Sequence, residues 1–122
     1  MILLGLVLAG ACGALLRYET EVQVRRRLGA SFPYGTLLIN VTGSFALGLL
    51  VGLAERHGVR MGIVTVLGTG LLGAYTTYST FAFDTVALAT RGRMGAAAAN
   101  VGASMALGLG AAALGLATGH LV

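Results

Sequence analysis

Gly68-Thr69-Gly70-Leu71-Leu72-Gly73-Ala74-Tyr75-Thr76-Thr77-Tyr78-Ser79-Thr80-Phe81 lies in the middle of the third of four apolar segments, and its reading decides the fold. The stretch is hydrophobic enough for a bilayer, yet glycines punctuate it and hydroxyls and aromatic rings follow. Gly and Thr are both poor helix formers, so a continuous helix gains nothing from such a run. In hydrocarbon, backbone that leaves the helix survives only where protein or a water-filled cavity receives its polar groups. The stretch therefore predicts a functional break in a membrane helix.

The composition agrees. At 122 residues, 57% hydrophobic and 10% charged, with a mean hydropathy of +0.89, the chain is too apolar for a soluble domain, in which roughly a quarter of residues are charged. Its length allows a single domain, residues 1–122, of about four spans of ~20 residues each. So small a bundle can hardly enclose a polar path alone, which predicts an oligomer in the lipid bilayer. The formal charge of +4 comes from arginines, with no lysine, placed almost wholly between the apolar segments. That is the pattern of loops and helix ends at head groups, and it excludes a nucleic-acid partner. The lone Cys12 excludes an internal disulfide and reads as a small buried residue. The apolar start has no positive leader and no small-residue cleavage pattern, so it reads as a mature span.

Around the central stretch the chain divides as follows. Span one covers about Ile2 to Leu16, with Gly5, Ala9, Gly10 and Gly13 offering a close-packing face and Arg17 and Tyr18 at the interface. Glu19 to Ser31 continues as a polar turn or two, ended by Phe32-Pro33-Tyr34-Gly35. Span two covers about Thr36 to Ala54. Its Ser44, Gly48 and Gly52 form a small-residue ladder for helix contact. Its Asn40 needs partners for a carboxamide in hydrocarbon, and an interhelical structural bond and a pore donor are equally open. Span three, about Met61 to Thr90, is too long for one straight crossing and fits two half-helices. Asp84 in it reads either as an ion ligand or as an interfacial partner of Arg91 or Arg93. Span four covers about Met94 to His120. Asn100, Ser104, Gly108 and Ala112 share one of its faces, which is a packing seam or the wall of a narrow wet path.

Catalysis is unsupported, since both histidines, His57 and His120, fall at segment ends and no paired acids sit in a span. What the membrane segments hold is a set of neutral donors, among them Asn40, Thr42, Ser44, Thr69, Thr76, Thr77, Ser79, Thr80, Asn100 and Ser104. Neutral donors replace the water shell of an anion without trapping it in an ion pair, whereas buried carboxylates favour cations or protons. Aromatic ring edges are electropositive and add a second way to face an anion. Tyr75, Tyr78 and Phe81 recur at intervals of three, as an anion-facing stripe or as a packing one.

Three runs carry a resemblance. Gly13-Ala14-Leu15-Leu16-Arg17-Tyr18, then Gly35-Thr36-Leu37-Leu38-Ile39-Asn40-Val41-Thr42-Gly43-Ser44-Phe45, then Gly68-Thr69-Gly70 with Gly73 to Phe81 resemble the CrcB/Fluc fluoride channels. The likeness runs through all four segments in order. It implies an all-α membrane protein of four transmembrane helices, the third broken, assembled as an antiparallel dual-topology dimer with two pores. It implies a passive, fluoride-selective channel in the inner (plasma) membrane, exporting fluoride from the cytoplasm and reducing its toxicity, with a structural sodium ion at the dimer interface. By position, Asn40, Tyr78, Phe81 and Ser104 line the fluoride pore, Thr77 and Ser79 supply hydroxyls beside it, and Arg17 makes its entrance electropositive. Gly73 and Thr76 present backbone carbonyls to sodium. Tyr78 stands where phenylalanine is usual, Asn100 where tyrosine is common, and Asp84 where glutamate is.

Arg17, Arg25, Arg26, Arg27, Arg91 and Arg93 fall on one side of a four-span arrangement, against Arg56 and Arg60 on the other. Such a bias ordinarily fixes orientation with the richer side cytoplasmic. A homodimer and a pairing with a homologous subunit of opposite orientation both stay open. The alternative function is a small four-helix proton-coupled multidrug transporter. That mechanism needs an acid inside the first span, and Ile2 to Leu16 has none. A non-transporting assembly subunit would account for the small-residue faces but not for the buried hydroxyl run.

Overall fold

The computed structural model describes residues 1–122 and consists of helices and short connections. Helix α1 spans Ile2–Leu28 and α2 spans Tyr34–His57. The third segment begins with α3, Met61–Val64, widens into a π-helical stretch, Thr65–Leu72, and tightens again as α4, Gly73–Tyr75. After a gap at 76–78 it resumes as α5, Ser79–Thr90, and α6 spans Met94–Leu121. Helices α1, α2 and α6 are each long and apolar enough to cross a membrane. The broken segment lies against α1 with its first half and against α6 with its second. Four helical segments with the third broken are thus the fold expected from the sequence.

Local chemistry sets the boundaries. Polar α1 continues beyond Leu16 because Gln23 donates to Glu19 at 2.7 Å and Arg25 to Glu21 at 3.3 Å, both one helical turn apart. Its 27 residues make a rod of about 40 Å, longer than the ~30 Å hydrocarbon layer. Arg17 consequently lies well inside the helix, half-buried beside the break, and the continuation expected after Leu16 runs on to Leu28. Gly58 closes α2 in the left-handed conformation, with φ 63° and its N–H on Ala54 O at 3.0 Å.

The tightest seam joins α2 and α6, where backbones touch. A Cβ on Gly48 would fall inside the Ala112 carbonyl, and one on Gly115 inside that of Phe45. On Gly119 it would lie 2.6 Å from Leu49 O. The small-residue ladder of span two therefore meets its counterpart on α6, and Glu55 and His120 meet at 2.7 Å at its end.

The glycines of the central stretch play another part than expected. Gly68 and Gly70 do not break the helix; they lie within its π-helical portion. A Cβ on Gly70 would sit 3.0 Å from Ala9 Cβ, and one on Gly13 inside the Leu71 carbonyl, so these glycines let α1 approach closely. The break is confined to Thr76, Thr77 and Tyr78. Only 13 of 122 residues are buried, so most apolar side chains face outward, toward lipid or another chain.

Candidate functional site

Thr76 turns the chain with φ −77° and ψ 160°, an extended conformation between two helix ends. A helix end leaves four carbonyls without intrahelical partners and a helix start leaves four N–H groups, so the break concentrates both within a few residues. The carbonyl end carries partial negative charge and the N–H end partial positive.

Asn40 on α2 holds the opened backbone. Its Nδ2 donates to Thr77 O at 2.8 Å, and Thr77 N–H donates to its Oδ1 at 2.9 Å. The interhelical bond that the sequence left open is therefore present. Asn40 also lines a cavity, and its second amide hydrogen is not used by Thr77. The hydroxyls form a cluster of their own. Thr80 N–H donates to Thr77 Oγ1 at 3.2 Å, and Thr77 Oγ1 donates to Thr80 Oγ1 at 3.0 Å. Ser79 lies 3.4 Å from Thr77 Oγ1 and is exposed, outside the cavity wall.

These donations free two carbonyls. In an unbroken helix Thr77 N–H would bond Gly73 O and Thr80 N–H would bond Thr76 O, but both are turned elsewhere. Thr76 O instead faces Arg17 Nη1 at 3.4 Å.

The cavity of about 330 Å³ lies between α2, the broken segment and α6. Asn40, Ser44, Thr76, Thr77, Tyr78, Phe81 and Ser104 are on its wall, along with small and apolar residues, and no charged side chain is. Thus five sequence-chosen residues, Asn40, Thr77, Tyr78, Phe81 and Ser104, come together, with Gly73 and Thr76 beside them. The Tyr78 and Phe81 rings are 5.9 Å apart and inclined at 49°. Tyr78 is 78% exposed in the single chain.

The face of α6 is divided between a cavity wall and a packing seam. Ser104 and Gly108 border the cavity, whereas the Ala112 carbonyl is packed against Gly48. One helix thus changes from cavity wall to close-packed seam within a turn. Asn100, 1% exposed, donates to Thr85 Oγ1 at 2.9 Å. Asp84 pairs with neither Arg91 nor Arg93; it accepts from Thr36 Oγ1 at 2.9 Å. Thr36 and Thr85 were not singled out as partners from sequence, because a lone threonine in an apolar run ordinarily bonds its own helix.

Residues 4–116 match the family described as CrcB-like protein, Camphor Resistance (CrcB). The chain belongs to this family. It is similar to fluoride-specific ion channel FluC 1 of Streptomyces avermitilis, 52% identical over 112 residues, which cover 91% of this chain and 90% of that one. It is similar also to fluoride-specific ion channel FluC of Acidobacterium capsulatum, 43% identical over 120 residues, 98% of this chain and 96% of the relative. FluC of Cereibacter sphaeroides is 45% identical over 115 residues, 94% and 91% of the two chains. The match includes the whole of the broken segment and of α2, and α6 as far as Leu116.

Proposed function

We propose that this CrcB-like chain is a passive fluoride-selective channel, not an enzyme, that lets fluoride leave the cytoplasm across the inner membrane. The observation that carries the reading is a membrane cavity at a helix break whose wall holds amide, hydroxyl and aromatic groups and no charge. A small anion entering it exchanges water for donors, and ring edges at Tyr78 and Phe81 offer positive potential without an ion pair to trap it. The free amide hydrogen of Asn40, from α2, and the hydroxyl of Ser104, from α6, are the donors on its wall. Arg17, beside the break, raises the potential along the approach. The names of the relatives supply the identity of the anion. The multidrug-transporter alternative finds no proton-exchanging acid on this wall.

The functional unit is proposed to be an antiparallel dimer, of two copies or of this chain with a homologous subunit. Open cavity walls and the exposed Tyr78 ring support it, since a second chain would close them. The structural sodium ion fits the donor chemistry: Gly73 and Thr76 carry carbonyls released from helical bonding, and hard cations take oxygen ligands. One chain offers two such oxygens, so a second chain is needed to approach a full shell. The test is fluoride efflux from liposomes holding only this protein. Rapid fluoride efflux with chloride retained is expected; no fluoride efflux, or chloride passing as fast, would sink the reading.

A further inference from the structure

A second cavity, of about 280 Å³, lies at the arginine-rich end of the bundle, between the end of α1, the connection to α2, and α5. That volume suits a ligand smaller than the drug-sized molecules that fill ~300–1,000 Å³ sites. Glu21, Arg25, Phe32, Phe83, Asp84 and Arg91 are on its wall. Four of these are charged, but they are not equivalent. Glu21 and Arg25 answer each other at 3.3 Å. Asp84 has only the Thr36 hydroxyl, and no cation lies within ion-pair distance of it. Arg91 uses no side-chain hydrogen bond and no ion pair. One cavity thus presents a free carboxylate and a free guanidinium that do not meet.

We propose that this cavity holds the head group of a phosphoethanolamine lipid, its phosphate on Arg91 and its ammonium on Asp84. A ligand of single sign would answer one charge and oppose the other. A zwitterion with phosphate and a primary ammonium answers both, through charge-assisted hydrogen bonds. A choline head group has no N–H for Asp84, and a glycerol head group has no positive charge. The cavity lies where helix ends meet the head-group layer, and Phe83, 73% exposed, lies alongside for the acyl chain. Arg93, which donates to Ser31 O, pins the connection that roofs the site. The site is independent of what passes the break, so it stands or falls separately from the fluoride reading.

Native mass spectrometry of the full-length protein, offered equal amounts of ethanolamine, choline and glycerol phospholipids with identical chains, tests this. One extra charge-assisted contact predicts about tenfold higher retention of the ethanolamine lipid. Asp84→Asn should abolish the preference, and Arg91→Gln should lower retention of all three lipids together, while Arg56→Gln, at the opposite end, changes neither. Arg91 is exposed and bonds nothing through its side chain, so its variant should fold, with elution in size exclusion as the check. Equal retention of choline lipid, preference for the glycerol lipid, a preference that survives Asp84→Asn, or retention unchanged by Arg91→Gln would overturn the proposal. So would free phosphoethanolamine or inorganic phosphate displacing the lipid at equal concentration, since the site would then serve a soluble ion.

Discussion

Along the α2–α6 seam, Gly48, Gly115 and Gly119 each bring one helix backbone against a carbonyl of the other, whereas at the break the only glycine of α2 is Gly43, set against the side chain of Thr76. In the seam the missing Cβ lets two rigid rods touch backbone to backbone. At the break the missing Cβ makes room for a threonine that carries an extended backbone, and two carbonyls lose their helical partners, that of Thr76 facing Arg17 instead. The same residue type thus fixes a backbone contact in one place and shapes a cavity wall in the other. The seam should govern stability and the break should govern permeation.

The largest effect is expected in the seam. Gly115→Val would drive its side chain into the Phe45 carbonyl, backbone that cannot move without separating the helices. Overpacking of this kind should cost about 3 kcal/mol. Thermal unfolding in detergent measures it. A variant as stable as the parent would show that the seam is looser than its backbone contacts indicate.

Next comes Asn40, which clamps Thr77 and also lines the cavity. Asn40→Asp replaces the amide donor with a carboxylate facing the Thr77 carbonyl and the cavity. Fluoride efflux should fall at least about 100-fold, equivalent to ~2.7 kcal/mol on the barrier, while the oligomer still elutes intact. Undiminished efflux would take Asn40 off the permeation path and leave it the backbone clamp alone.

A sharper division of the two regions comes from Gly43→Ala. The added Cβ would overlap the Thr76 methyl, Cγ2, and displace the residue that opens the helix. Efflux should drop about tenfold with little loss of stability, a barrier change of ~1.4 kcal/mol. Thr76→Ser removes that methyl and keeps the hydroxyl that donates to Leu72 O. The double variant should therefore recover most of the flux. A double variant as slow as Gly43→Ala would mean that Gly43 acts through something other than the fit of Thr76.

Much of this was legible in the residues. Apolar run lengths, the proline-glycine connection before α2 and the hydroxyl-aromatic run located four segments and a break in the third. The exact site of the break was not legible, because glycine lowers helix propensity wherever it falls. Only contact with α1 shows that Gly70 serves packing and Thr76 the break. Asn40, Tyr78, Phe81 and Ser104 could be chosen from type and spacing. The dual service of Asn40 could not, since it depends on a peptide unit 37 positions away. Asp84 likewise found Thr36, a partner 48 positions distant, where charge alone pointed to the nearby arginines.

The smallest effect is expected where the two regions meet, at Gly108. It borders the cavity one turn before Ala112 enters the seam, and a Cβ built on it meets nothing closer than Ser44 Oγ at 3.9 Å. Gly108→Ser therefore adds a hydroxyl beside another hydroxyl without touching backbone. Replacing glycine within a helix stabilises by up to about 0.5 kcal/mol, so unfolding should be unchanged or slightly raised. Efflux should stay within about threefold of the parent, because ~0.6 kcal/mol is all that one added neutral donor contributes to passage. Loss of folded protein in Gly108→Ser would place Gly108 in the seam. The boundary between wall and seam would then lie closer to Ser104.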